Sequence, residues 1–547
     1  MRTIIAAVKR MAELRLVGKP ASGGLAAGPL ALLSVISGAE RQKGDPAEEA
    51  AALRSAIARA SDQLGQLAGN ASDDGGEILA FQVAMLEDET LSAHAFAQVE
   101  QGGAAQDAWR AALDAQIADY ETAGDEHFRA RASDLADIRD RVLAALSGAP
   151  TESRIPRGAI VFAVDLTPSR FLSIDWELGG GIALTAGSAS GHVATLARAR
   201  GIPMIVGIGR PLSQGDGGRE AFIDGERGAM ILDPTPTTRA DFVAREAGAR
   251  SATATAEIYR ARPAVTADGE RIAVLINVAD PAEIEGLDSA TCDGIGLVRT
   301  EFLFHGRDQW PDEERQYRIY RRLLEWAGGK PVTIRTLDAG ADKPIPGLTI
   351  DHESNPFLGL RGVRLSLARP ELFRVQLRAL ARAAAHGPIE IMLPMVALGS
   401  ELEAARSMLA AEAAALSAEG IACHVPPLGI MVEVPAAAIV VEQFDAAFFS
   451  IGSNDLTQYV MAAARDNHAV SALNDPTHPA VLRLIEQVAA HGASIGRKVS
   501  LCGDAAAEPA NIAALLTAGL RAISVAPFAL ARVKQAIARV DLGGNAR

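Results

Sequence analysis

Cysteine is nearly absent: three in 547 residues, at Cys292, Cys423 and Cys502, far apart and odd in number. That excludes a disulfide scaffold and, with no Cys-x-x-Cys pair, a cysteine-based zinc site. Also lacking is any apolar run near the roughly 18–20 residues that cross a bilayer. Residues 1–10 hold too short an apolar stretch for a secretory signal, and basic residues close it. Nor is there an excess of positive charge. Against 67 acidic side chains stand 53 basic ones, a formal charge of −14. This argues against nucleic acid or an anionic membrane as the main partner. Together these absences predict a cytoplasmic protein without a membrane span.

What is present is apolar material: 49% of residues are hydrophobic, so wholesale disorder is excluded. The length predicts about three to five domains. Residues 17–33 read as a short strand with turns. Residues 46–147 read as helical: Leu53, Ile57, Ala60, Leu64 and Leu67 repeat at helical spacing, as do Leu135, Ile138, Val142 and Leu146. Breaks at 70–76 and 102–103 suggest a small bundle. From about 150 to 235, short β runs appear at 159–164, 181–185, 203–207 and 229–232. An Ala/Arg-rich linker helix follows at 236–262. Beyond it lie apolar runs at 272–278, 294–299, 332–337, 389–395, 428–434, 448–451, 499–502 and 522–525. Their alternation with helical patterns predicts a (β/α)8 barrel, with a doubly wound sheet as the structural rival.

A barrel concentrates chemistry at the carboxyl ends of its strands. Those ends read Arg299-Thr300-Glu301, Arg335-Thr336-Leu337-Asp338, Glu433, Ser453-Asn454-Asp455 and Cys502-Gly503-Asp504. Arginine forks match phosphate or carboxylate, so Arg299, Arg335 and, just downstream, Arg465 are candidate anion ligands. The alternative is pairing with local acids such as Glu301 and Asp338. Glu433 and Asp455 are hard oxygen donors, which favours Mg²⁺ or Mn²⁺ over zinc; salt bridges are their alternative. Anion clamps with a hard cation point to phosphoryl transfer or a metal-stabilised enolate. Cys502 is a candidate acid or nucleophile, or else a core thiol, whereas Cys292 and Cys423 read as structural. Upstream, His192 stands between the small-residue loop at 186–191 and a helical stretch carrying Arg198. A helix N-terminus favours an anion there, so His192 is either a phosphorylated imidazole or a capping histidine.

The segments DGIGLVRTEFL (293–303), NPFLG (355–359), EVPAA (433–437), FSIGSNDLTQY (449–459) and MLED (85–88) occur in that family's manner, and over nearly its whole length the chain resembles Enzyme I of the phosphoenolpyruvate-dependent phosphotransferase systems. The resemblance implies a multidomain α/β protein. Residues 1–34 and 148–235 would form a swivelling phosphohistidine domain, interrupted by a helical bundle at 35–147. A linker helix at 236–262 would lead to a phosphoenolpyruvate-binding (β/α)8 TIM-type barrel at 263–547. It further implies that His192 takes a phosphoryl group from phosphoenolpyruvate and passes it to a histidine of a small phosphocarrier protein docked on the bundle. Arg299, Arg335, Asn454, Asp455 and Arg465 would hold the substrate. Glu433 and Asp455 would ligate Mg²⁺, and Cys502 would protonate the enolpyruvate to pyruvate. Members form homodimers through the barrel and open a sugar-uptake phosphorelay; the alternative is a regulatory, nitrogen-type relay or a phosphoenolpyruvate sensor. Since His192 must meet both substrate and carrier, residues 150–235 are expected to swing about hinges near 148–152 and 233–262. Departures are Ser190-Gly191 where the family usually has Thr-Ser, Ala464 where an acid is common, and an end at Arg547 where many members continue. Pyruvate phosphate dikinase and phosphoenolpyruvate synthase share the swivelling and barrel patterns but need an ATP-grasp domain, for which the first 150 or so residues are too few.

Overall fold

A computed structural model describes residues 13–33, 43–70, 74–122, 126–148, 155–176, 179–187, 191–304, 310–341, 345, 347–350, 353–464 and 468–543. The chain divides into two compact units, 1–249 and 250–547.

In the first unit, the described strands are β1 (Leu14–Val17), β2 (Lys19–Ser22), β3 (Leu25–Leu32), β4 (Ile160–Ala163), β5 (Gly181–Leu184), β6 (Met204–Val206), β7 (Glu220–Asp224) and β8 (Ala229–Leu232). They form one sheet in the order β1-β8-β7-β3-β4-β5-β6-β2. β3 to β6 run parallel, and the flanking pairs are antiparallel. Gly28 allows β3 to pass close to the turn before β4: a Cβ there would lie 1.9 Å from the Gly158 carbonyl oxygen. Between β3 and β4 the chain leaves the sheet to build helices α1 (Pro46–Asn70), α2 (Asp74–Glu87), α3 (Glu89–Glu100), α4 (Ala105–Thr122) and α5 (Glu126–Ser147). The expected stripe is the seam: Leu53, Ala60 and Leu64 are buried, against Trp109, Leu113, Leu135, Ile138 and Val142. Asp45 and Glu48 exchange side-chain bonds to each other's backbone N–H (2.9 and 3.0 Å), starting α1. Asp88, from the MLED segment, accepts the Thr90 N–H at 2.8 Å and starts α3. The bundle is tied to α6 (Pro168–Ser173) by a buried polar latch. Asp137 accepts the Ser169 hydroxyl and N–H at 2.6 and 3.1 Å, and Arg141 donates to the same hydroxyl at 2.8 Å. Next come α7 (His192–Ala199) and the long α8 (Pro236–Arg260).

The second unit is a closed, all-parallel barrel of β9 (Ala273–Val278), β10 (Ile295–Val298), β11 (Val332–Arg335), β12 (Ile389–Leu393), β13 (Leu428–Val432), β14 (Phe449–Gly452), β15 (Val499–Cys502) and β16 (Ala522–Val525), with β16 pairing back onto β9. The rival doubly wound sheet is excluded. Each strand buries both faces, so its run is apolar rather than alternating. Ile276, Val298, Ile334, Ile391, Ile430 and Ile451 pack into the large core shared with the helices, while Leu297, Met392, Met431, Phe448 and Cys502 cluster separately. Several strands end earlier than the apolar run that predicts them: 332–337 stops at Arg335, 389–395 at Leu393, 428–434 at Val432. The residues left over turn into the barrel mouth. Lys534, buried on the last described helix (Leu530–Ile537), donates to the carbonyls of Arg260, Arg262 and Thr291 at 2.8, 2.9 and 2.6 Å.

Gly429 on β13 faces the Phe448 ring, and a Cβ there would lie 2.5 Å from it. Gly429→Ala is expected to destabilise the barrel by about 1–3 kcal/mol through overpacking, read as a lower midpoint of the barrel transition in scanning calorimetry.

Candidate active site

At the mouth, β11 delivers Arg335 into a buried ionic lattice. Its guanidinium donates to Glu301 at 2.8 Å and lies 3.2 Å from Asp338, with only 5% of the residue exposed. The Thr300 hydroxyl donates to the Arg335 carbonyl at 3.0 Å, and the Asp338 N–H to Glu301 at 3.2 Å, so the two loops are stitched together. A second arginine, absent from the sequence-based candidates, completes the lattice. Arg361 is 1% exposed. It donates to both oxygens of Asp338 (3.3 and 2.9 Å), to Asp455 (3.2 Å) and to the Tyr459 hydroxyl (3.4 Å). Gly340, at φ +110°, lets the backbone pass: a Cβ there would sit 2.7 Å from the Arg361 Cβ. The anticipated alternative for Arg335, pairing with Glu301 and Asp338, is thus its arrangement in this structure. Arg299, half-buried after β10, has no ion-pair partner among the described residues.

Glu433 follows β13 and accepts the Met395 N–H at 2.7 Å; Met395 adopts a positive φ of 59° to present it. Asn454 and Asp504 exchange two bonds, Asn454 Nδ2 to the carboxylate at 3.1 Å and the Asp504 N–H to Asn454 Oδ1 at 3.0 Å. This closes the end of β14 onto that of β15 across Gly503, where φ is +114° and a Cβ would fall 2.3 Å from the Ser453 hydroxyl. Cys502 faces the interior. Its sulfur accepts from the Ser450 hydroxyl at 3.6 Å, and its thiol donates to the Ile451 carbonyl at 3.6 Å. Burial pushes that thiol above its ordinary 9.0, against the lowering effect of Ser450. Arg465 lies outside the described residues.

Four buried carboxylates (Glu301, Asp338, Glu433, Asp455) face two buried guanidiniums (Arg335, Arg361), a formal excess of two negative charges. Burial works against the charge on Arg335 and Arg361, but Glu301 and Asp338 around the first, and Asp338 and Asp455 around the second, outweigh it and hold both firmly protonated. Glu433 feels the excess: burial, then Asp455 and Asp338, push its carboxyl up to about 8. One dication matches that excess. Glu433 and Asp455 are a donor pair of the kind Mg²⁺ takes when water and substrate oxygens complete its octahedron. No cluster of three or more His, Cys, Asp or Glu side chains able to hold a metal occurs among the described residues.

In the first unit, His192 is the first residue of α7, with Gly191 at the N-cap in extended conformation (φ −65°, ψ 166°) and no side chain capping the helix. Residues 188–190 lie outside the described set. The turn before them packs on the β4–α6 loop, where Gly187 approaches Asp165 so closely that a Cβ would lie 3.1 Å from its carboxylate. In the same loop the Thr167 hydroxyl is buried without a hydrogen-bond partner among the described residues. Arg198 donates to the Ala21 carbonyl at 2.8 Å, which fastens α7 to β2.

An arginine- and carboxylate-lined barrel mouth and a separate histidine-headed helix place the chain among the enzymes that use phosphoenolpyruvate. The family models agree along the chain: "PEP-utilising enzyme, N-terminal" over 17–131, "mobile domain" over 155–228 and "PEP-binding domain" over 253–542. Within that class the chain belongs to the phosphoenolpyruvate-protein phosphotransferase family and is a transferase. It is 36% identical to the Geobacillus stearothermophilus phosphoenolpyruvate-protein phosphotransferase over 94% of this chain and 91% of that one. With the Haloferax volcanii protein of that name it shares 41% over 75% and 73%, and with the Enterococcus faecalis one 34% over 91% and 89%. Enzymes of this family need a divalent metal. No helix among the described residues is long and apolar enough to cross a membrane.

Glu433→Gln replaces a carboxyl that burial and its acidic neighbours hold up at about 8 with a neutral amide, while keeping an acceptor for Met395. The metal-free barrel should melt at an unchanged or higher temperature, and the stabilisation that millimolar Mg²⁺ gives the unsubstituted chain should disappear; calorimetry with and without Mg²⁺ reads both. Arg361→Ala should do the reverse, destabilising the barrel by about 3–5 kcal/mol because the buried guanidinium that Asp338 and Asp455 share is removed.

Proposed function

We propose that this chain phosphorylates itself on His192 from phosphoenolpyruvate and passes the phosphoryl group to a histidine of a small phosphocarrier protein, the entry step of a sugar-uptake relay. The observation that carries this reading is the buried lattice of Arg335 and Arg361 at the barrel mouth, beside a protonated thiol and Arg299, which has no ion-pair partner among the described residues. Arg299, Arg335, Asn454 and Arg465 hold the phosphate and carboxylate of the substrate; to do so Arg335 exchanges part of its pairing with Glu301 and Asp338 for substrate oxygens. Glu433 and Asp455 hold Mg²⁺, which when bound neutralises charge on phosphoryl and enolate oxygens. The neutral imidazole of His192 attacks phosphorus. An N–P bond forms, the P–O bond breaks, and its electron pair remains on the enolate oxygen. Cys502 then gives its S–H proton to C3 of the enolate, producing pyruvate. Water is kept from the enolate by the apolar wall of Leu297, Met392 and Met431, buried beside the thiol.

On this reading His192 has to meet both the substrate at the barrel mouth and the carrier, so the phosphohistidine domain (148–235, with 1–34) travels between them. The helical bundle (35–147) offers a cleft of about 360 Å³ lined by Arg54, Ile57, Asp62, Leu86, Glu87 and Phe96, which supports docking of the carrier there. The reading further places the protein in the cytoplasm, as a homodimer joined through the barrel.

With labelled phosphoenolpyruvate and Mg²⁺, the unsubstituted chain should acquire acid-labile label with stoichiometric pyruvate, and His192→Ala should acquire none. A chain that consumes the donor without labelling His192 sinks the proposal. Because the folded-state pKa of Cys502 is raised, its proton persists as pH rises; the yield of pyruvate per phosphohistidine should therefore stay level from neutral pH to about pH 9, measured by rapid quench.

A further inference from the structure

Barrel interiors are filled mainly by branched apolar side chains, yet beneath Cys502 this one carries two hydroxyls. Ser450 and Ser500 stand opposite each other in the β14–β15 register, two pairs below Gly452 and Cys502. They are 1% and 3% exposed. Ser500 donates to the Ser450 hydroxyl at 3.2 Å, which leaves the Ser450 proton for the Cys502 sulfur at 3.6 Å. The thiol's own proton is directed at the Ile451 carbonyl at 3.6 Å.

Two problems attend a buried thiol that must give up its proton. The proton has to turn away from that carbonyl, and the thiolate left behind is penalised by burial. The Ile451 carbonyl cannot stabilise a thiolate, since its oxygen is the negative end of a dipole and has no proton to donate. A hydroxyl already donating to sulfur, itself held by a second hydroxyl, can, because hydrogen bonds to an ionised acceptor are stronger than those to a neutral one.

We propose that Ser450 is a positioning residue for the protonation step, with Ser500 holding it: it fixes the sulfur and stabilises the thiolate formed as the S–H bond breaks and the C3–H bond of pyruvate forms. The enolate collapses to a carbonyl as the C–H bond is made, and solvent water reprotonates the thiolate after pyruvate leaves. This rests on Cys502 being the proton donor.

The test uses the full chain with Mg²⁺ and phosphoenolpyruvate. Two quantities are compared: acid-labile label on His192, and pyruvate formed on the protein as against enolpyruvate escaping to solution, seen by its transient ultraviolet absorbance. A C3-methyl phosphoenolpyruvate analogue in D₂O reports which face receives the deuteron. In Ser450→Ala the ratio of on-protein ketonisation to phosphohistidine should fall about tenfold or more, the rate equivalent of a hydrogen bond to a charged group, and facial selectivity should drop. Ser450→Thr, which keeps the hydroxyl, should restore both to within about threefold. If Ser450→Ala forms no phosphohistidine, Ser500→Ala is read the same way, with a loss of about threefold or more expected. A Ser450→Ala ratio within about twofold of the unsubstituted chain overturns the proposal, as does a Ser450→Thr ratio no better than that of Ser450→Ala. So does an unchanged Ser500→Ala ratio where that variant is the one read. Cys502→Ala separates the two claims: an unchanged ratio there refutes the donor role itself, whereas a lost ratio beside an unaffected Ser450→Ala refutes only the role of Ser450.

Discussion

The buried ionic lattice at the barrel mouth is the constraint on which the rest of the site depends. Six ionisable side chains are withdrawn from water there, and desolvation of that many charges is tolerable only when partners are fixed in place. Arg361 does most of the fixing, with Asp338 on one side and Asp455 on the other. The lattice is unbalanced in composition, with four carboxylates against two guanidiniums, and on the proposed reading a cation offsets that excess while Arg299 beside it takes an anion. A site that binds both gains more than either would alone, because each ligand neutralises what the other leaves exposed.

Backbone geometry keeps that lattice in register. Gly340 and Gly503 take conformations that side chains rarely adopt, and each sits where a Cβ would strike a neighbouring residue of the site. Met395 adopts positive φ to aim its N–H at Glu433. Strain concentrated at the strand ends is carried by a barrel core packed with Ile, Leu and Val. In the other unit the Asp137–Ser169–Arg141 latch plays a related part, tying the bundle to the α6 turn of the sheet domain with bonds shielded from water.

Much of this was legible from residue order because the signals are local. Apolar runs spaced by helical patterns announce eight parallel strands, and the stripe from Leu53 to Leu64 announces a bundle seam. Arg335, Glu433, Asn454, Asp455 and Cys502 stand out because each falls where an apolar run stops. Arg361 does not: it follows no strand, and only the return of the NPFLG loop over the mouth brings it to Asp338 and Asp455. The pairing of β1 with β8, more than two hundred residues apart in sequence, leaves no local trace either. Ser450 is hidden for another reason, since a small residue inside an apolar run reads as packing until its neighbour proves to be a thiol.

One consequence lies in α8. Near its start Phe242 stacks on Phe222 at 4.3 Å between ring centres, and Arg245 grips Asp224 at 2.5 Å. At its finish the carbonyls of Arg260 and Arg262 are clasped by Lys534. Between these grips residues 247–255 are largely exposed. The helix is therefore held at each end by its own means, an aromatic stack with an ion pair at the start and a lysine on backbone carbonyls at the finish, and its ends owe their anchorage to contacts of different chemistry.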